Sequence, residues 1–264
     1  MTPEYKEALI QLLYQLADDN FIHAFRGSEW LGLAPHIEED VAFSSINQDT
    51  MGHAVMYYRL LEALGEGQAD DLAHKREARA FHNAVLLEFK NGKGEYLQHP
   101  EYDWAFTVVR HLVYAEFKKV RLDALALSSY EPLAETARKI KTEHYYHLMH
   151  WETWFTQLMS STREARQRMT AAIERVWDDL DGLFTLGSYE EKMLAYHLVP
   201  HSKDIKMNAL TRIQKLFDGV NYPLQRAPEM KNGNGRNGEH TSDLDHALSI
   251  LSEVYRSDPL AKGW

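Results

Sequence analysis

The chain has 264 residues, 44% of them hydrophobic, and a formal net charge of −10. That length lets a fold bury roughly three quarters of its unfolded surface, while the acidic balance lacks the basic stripe of a nucleic-acid binder. The absence of cysteine excludes disulfides, thiolate metal sites and cysteine nucleophiles and fits a cytoplasmic address; no apolar run approaches the ~20 residues of a membrane span, and Met1-Thr2-Pro3-Glu4-Tyr5-Lys6 lacks a signal-peptide pattern.

Apolar residues recur with a helical period almost throughout, and strand-like alternation is scarce. The pattern predicts a first helix from about Pro3 to Phe25, with Thr2 as N-cap and Pro3 in the first turn. A second helix starts near Pro35 and stops before Gly65. A shorter helical piece covers Asp70 to Leu87, and Asn91-Gly92-Lys93-Gly94 is a turn. Two long helices follow, from about Asp103 to Leu127 and from Glu131-Pro132 to Ser160. Another covers Arg163 to Phe184, and a less regular helical region spans Tyr189 to Phe217. His197 and His201 flank Pro200, which argues against a shared helical face, so they read as surface residues. Pro223 to Gly238 is a loop, flexible by composition over Lys231 to Gly238. A last helix, Thr241 to Tyr255, is too small to fold alone, so the loop is expected to return it to the body. We therefore read 1–264 as one all-α domain, with a loop at about 223–238 and a C-terminal helix at 241–256. Lys118-Lys119-Val120-Arg121 is the densest basic patch outside the tail and reads as a solvated helix face.

Steps of three and four residues place several side chains on the inward face of each long helix. The first gives Leu9, Leu13, Leu16 and then Asn20. The second gives Ile46, Thr50, His53, Tyr57 and Leu61. The third gives Val109, Val113, Glu116, Val120, Ala124 and Leu127. The fourth gives Ile140, His144, His147, Trp151, Trp154 and Leu158. Each apolar stripe is broken near its middle by polar residues. A lone core histidine is usually a hydrogen-bonded structural residue. Four interruptions on four helices match another layout, that of carboxylate-bridged di-iron bundles: Glu, Glu-x-x-His, Glu, Glu-x-x-His.

In this chain the Glu-x-x-His positions read Thr50-Met51-Gly52-His53 and His144-Tyr145-Tyr146-His147. Of four carboxylate positions only Glu116 keeps an acid; the others are Asn20, Thr50 and His144. Two Fe(II) ions about 3.5 Å apart repel by roughly 19 kcal/mol at an effective dielectric of about 20. One glutamate cannot offset that charge. Asn20, Thr50, His53, Glu116, His144 and His147 therefore read as the remnant of a di-iron site, now a hydrogen-bonded core network. The alternative ligand set is Asp49, His53, Glu116, Glu143 and His147, with Asp19. Asp49/His53 and Glu143/His147 are i,i+4 pairs. Asp19, Asp49 and Glu143 each lie one residue, about 100°, off the stripe.

Three stretches then carry a resemblance: Glu29-Trp30-Leu31-Gly32-Leu33-Ala34-Pro35, Gln48-Asp49-Thr50-Met51-Gly52-His53 and Leu61-Glu62-Ala63-Leu64-Gly65-Glu66-Gly67. Together they resemble the multicomponent phenylacetyl-CoA epoxidase of phenylacetate catabolism. The catalytic subunit of that family has Gln-Asp-Glu-x-Gly-His where this chain has Gln48 to His53. The non-catalytic C-type subunit is more similar, sharing the Glu-Trp-x-Gly-x-Ala-Pro turn and a C-terminus like Gly238-Glu239-His240-Thr241 through Gly263-Trp264. This chain departs from the C-type pattern in keeping both His53 and His147. The resemblance implies an all-α, ferritin-like four-helix bundle core with additional helices. It also implies a structural subunit, without cofactor or catalytic residue of its own, that supports the catalytic di-iron subunit. The assembled enzyme would be a monooxygenase that epoxidises the aromatic ring with O2 and NADPH-derived electrons from a reductase subunit. Without its partner such a chain is expected to self-associate. Two other readings are a self-sufficient ferritin-like di-iron oxidase or oxygenase using the alternative ligand set, and a ferritin-like metal store or stress protein.

Overall fold

In the computed structural model the described residues are 1–96 and 98–258. The Gly263-Trp264 ending used in the resemblance lies outside them. The chain divides into two compact units, residues 1–90 with 232–264, and residues 91–231. No helix among the described residues is long and apolar enough to cross a membrane.

The first unit is built on a pair of long helices, α1 (Pro3–Ser28) and α2 (Ile37–Ala63), which pack along each other. Thr2 caps α1 as expected, its hydroxyl accepting from the Tyr5 N–H at 3.2 Å. The imidazole of His36 caps α2 by accepting from Glu39 N–H, and Gly65 ends it with a φ of 88°. The single helix expected over Asp70–Leu87 is instead three fragments: α3 (Ala69–His74), a 3-10 turn (Ala78–Ala80) and α4 (Val85–Glu88). The break occurs where the backbone turns its N–H groups toward side chains of α1. Asp18 accepts from His82 N–H at 2.8 Å and Asp19 from Ala84 N–H at 2.9 Å.

The loop read as flexible is anchored. Gly235–Asn237 forms a 3-10 turn, and a side chain at Gly235 would put its Cβ 2.0 Å from the Asn83 carbonyl oxygen. The last helix is two, α11 (Ser242–Leu251) and α12 (Glu253–Ser257). Thus α11 does return to the body, against α1 and α4.

The second unit opens with a hairpin that the polar, glycine-rich sequence concealed. Strand β1 (Gly92–Glu95) pairs antiparallel with β2 (Gln98–Tyr102). Then come α5 (Trp104–Leu125), α6 (Glu131–Ser160) and α7 (Arg163–Trp177). The helix expected to run on to Phe184 stops at Trp177 and resumes as a short α8 (Asp181–Phe184). The irregular region divides into α9 (Glu190–Ala195) and α10 (Ser202–Gly219). Helix α5 is the centre of this unit, packed against α6, α7 and α10. Being surrounded, it buries more than one stripe. Leu122 and Leu125 are buried, whereas Leu127, expected inward, is 86% exposed beyond the helix end. The same enclosure corrects the basic patch: Lys118 and Arg121 are buried, not solvated.

Candidate functional site

Each unit holds part of the polar set singled out from the sequence. In the first, Asn20, Thr50 and His53 are buried on α1 and α2. The Asn20 amide donates to Leu16 O at 2.7 Å, and the Thr50 hydroxyl to Ile46 O at 2.8 Å. Both of these bonds run back one turn to a carbonyl of the group's own helix. Asp49, off the stripe, is partly exposed. Asp19 is fully buried but its carboxylate is engaged by Arg236, whose Nη1 and Nη2 donate at 2.7 and 2.9 Å.

In the second unit, Glu116, His144 and His147 are buried and Glu143 is partly exposed. His144 Nε2 lies 2.8 Å from Ala115 O. A carbonyl only accepts, so Nε2 carries the proton. Burial, with Lys118 nearby, holds the imidazole well below its ordinary pKa, and His144 is neutral. The His144 and His147 rings meet edge to face at 6.1 Å.

Glu116 Oε2 accepts from Arg212 Nε of α10 at 2.5 Å. Glu116 Oε1 is buried and has no hydrogen-bond partner among the described residues. Arg212 Nη2 also lies 4.0 Å from a Glu152 carboxylate oxygen on α6. A cavity of about 370 Å³ adjoins the cluster, lined by Glu116, Glu152, Thr156, Arg212, Lys215 and Leu216 among others. Burial pushes the Glu116 carboxyl up to about 7, with Arg212 pulling it back and Glu152 pushing it further.

This donor set does not fit a pair of iron ions. Four glutamates offset the charge of two Fe(II) ions in such bundles; the stripes supply one, and it carries an arginine. Among the described residues no three His, Cys, Asp or Glu side chains gather as a metal site.

Sequence reasoning missed a second cluster, in the first unit, where two further buried acids, Asp18 and Glu88, find distant partners beside the Asp19–Arg236 pair. Asp18 accepts from Tyr58 Oη at 2.6 Å and is paired with Arg76. Glu88 accepts from Asn83 Nδ2, from Thr241 N and Oγ1, and from His240 Nδ1 at 2.8 Å. His240 Nε2 lies 2.9 Å from Phe81 O. Both partners of this ring are acceptors, an arrangement that favours the imidazolium. Burial works against that charge, and the Glu88 carboxylate overrides it, raising the His240 pKa. The only signal in the sequence was a lone cation, Arg236, among glycines and asparagines.

The long helices α1, α2, α5 and α6 dominate a fold of the ferritin-like all-α class. A solved structure supports that: "Protein 19 with aldehyde deformylating oxidase activity from Synechococcus" matches with a TM-score of 0.63 over 84% of this chain and 93% of its own. At 12% identity this likeness speaks for the fold alone. The chain belongs to the family described as "Phenylacetic acid catabolic protein", which it matches over residues 1–264. It is similar to the C-type subunit of 1,2-phenylacetyl-CoA epoxidase from Escherichia coli (strain K12). The two are 26% identical over 249 residues, covering 93% of this chain and 95% of that one.

Proposed function

We propose that this chain is a structural, non-catalytic subunit of a multicomponent phenylacetyl-CoA epoxidase, paired with a catalytic di-iron subunit. The observation that carries the reading is the fate of the polar groups on the four inward faces. Asn20, Thr50 and His144 are tied to backbone carbonyls, and Glu116 to Arg212. His144 and Glu116 tie α6 and α10 to α5, Asn20 and Thr50 bond within their own helices, and the one acid among them, Glu116, is taken by an arginine. Family membership and likeness to the C-type subunit of the Escherichia coli epoxidase support the same role. In this reading iron resides in the partner, where it would supply oxygen activation, and electrons arrive there from a reductase. This chain's residues contribute a rigid helical scaffold.

The test is co-expression with the catalytic subunit of the same operon or genome. The two should co-purify, and ring epoxidation should need both chains. After anaerobic Fe(II) loading and desalting, this chain alone should retain essentially no iron. Two irons per isolated chain, with oxygen-dependent turnover, would replace this reading with a self-sufficient oxidase built on Asp49, His53, Glu116, Glu143 and His147.

A further inference from the structure

We infer that Glu116 and the adjoining cavity form an organic-cation site whose resident ligand is the chain's own Arg212. The guanidinium would supply the counter-charge that a bundle of this class draws from metal. The inference concerns the isolated chain and does not rest on the subunit reading.

A carboxylate sealed from water needs a cation or a set of donors beside it. The Glu116 side chain is 1% exposed and Arg212, reaching it from α10, is 40% exposed. The buried half of the pair is therefore fixed on the most enclosed helix of the unit, and the part-exposed half reaches it from the solvent side. The Arg212 fork lies between two carboxylates, 2.5 Å from Glu116 and 4.0 Å from Glu152. A planar, multi-donor cation suits two acceptors in different directions, whereas an ammonium is a point charge. A metal ion would need further ligands, and among the described residues no third acid or histidine joins these two. The cavity of about 370 Å³ exceeds the ~30 Å³ that one water occupies in the liquid, so a small free guanidinium has room to enter. Glu116 Oε1, which no donor meets among the described residues, and the neighbouring Glu152 carboxyl are the acceptors it would find. Above the Glu116 pKa of about 7, the acids Glu116 and Glu152 face the cations Arg212 and Lys215 across the cavity; removing Arg212 leaves an excess of acid.

Chemical rescue tests this. The full chain and its Arg212→Ala variant are unfolded in urea at pH 8 with millimolar ethylguanidinium, ethylammonium, NaCl or MnCl2. Arg212→Ala should lower the midpoint, and ethylguanidinium should restore at least half of the loss, saturably. Ethylammonium should restore less, and NaCl and Mn(II) little. Adding Glu116→Gln to Arg212→Ala should abolish rescue. Equal rescue by NaCl, better rescue by Mn(II), or undiminished rescue in the double variant would overturn the inference. If Arg212→Ala does not fold, Arg212→Gln replaces it. A midpoint for Arg212→Gln equal to wild type, or losses from Arg212→Gln and Glu116→Gln that simply add, would also overturn it.

Discussion

His240 shows how a single side chain can carry a pH dependence here. Its ring donates to Glu88 and to Phe81 O, so the folded chain holds it protonated above its ordinary pKa of 6.5. The groups facing it are Glu88, Asp18 and the Phe81 carbonyl. A raised folded pKa means a contribution that is complete below about 6.5 and lost as pH rises through the higher folded value. Urea midpoints should therefore show His240→Ala costing about 2 kcal/mol at pH 6, the size of a charge-assisted hydrogen bond, and less at pH 9. His111 works in the opposite sense. It is buried against Trp151, and burial with Arg110 beside it keeps it neutral well below 6.5. Its contribution is present above about 6.5 and falls away as the medium is acidified through its low folded pKa. Neither behaviour was legible from the sequence. Both depend on which partner sits opposite, and for His240 that partner is 152 residues away.

At the scale of elements, the long helices were legible because a 3.6-residue period survives over twenty or more positions. The bounds of α6, Glu131–Ser160, agree with the expectation at both ends. Fragments such as α3 and α4, with six and four residues, are too short to show a period, and side chains of α1 rather than local propensity shape them. The α1–α2 pair also depends on a small residue. A Cβ on Gly27 would lie 1.9 Å from Asn47 Oδ1. Gly27→Ala should cost about 1–3 kcal/mol, as overpacking does, and Asn47→Ala in the same chain should recover much of it. The C-terminal segment is held by buried charge as well as by the apolar Leu244, Ala247 and Leu248. Arg236 and Asp19 are 0% and 1% exposed. Arg236→Ala strands a buried carboxylate and should cost about 3–5 kcal/mol. Limited proteolysis should then cut between 232 and 257 at protease levels the wild type survives.

For the whole molecule, the family is established across 1–264, and the motifs that suggested it lie in the turn after α1, in α2 and just beyond its end, and at the C-terminus. Of the candidate positions, the inward placement was legible: Asn20, Thr50, His53, Glu116, His144 and His147 are all buried. The chemistry there was not, because Arg212, the partner of the one retained acid, lies 96 residues further along the chain. If this chain completes a catalytic subunit, gel filtration should find it self-associated when purified alone and monodisperse when mixed with that subunit. A monodisperse monomer indifferent to the catalytic subunit would count against the subunit role.

The first unit is discontinuous in the chain, and this bears on how it is made. Asp19 leaves the ribosome 217 residues before Arg236, so α1 waits through most of synthesis with an acid destined for burial and no cation to meet it. Contacts so distant must overcome loop closure before they reward it, which slows folding. The uninterrupted stretch 91–231 has no such wait. Nascent chains stalled before Arg236 should therefore protect that stretch from protease while leaving 1–90 open to it, and chaperones should linger on the half of the protein that emerged first.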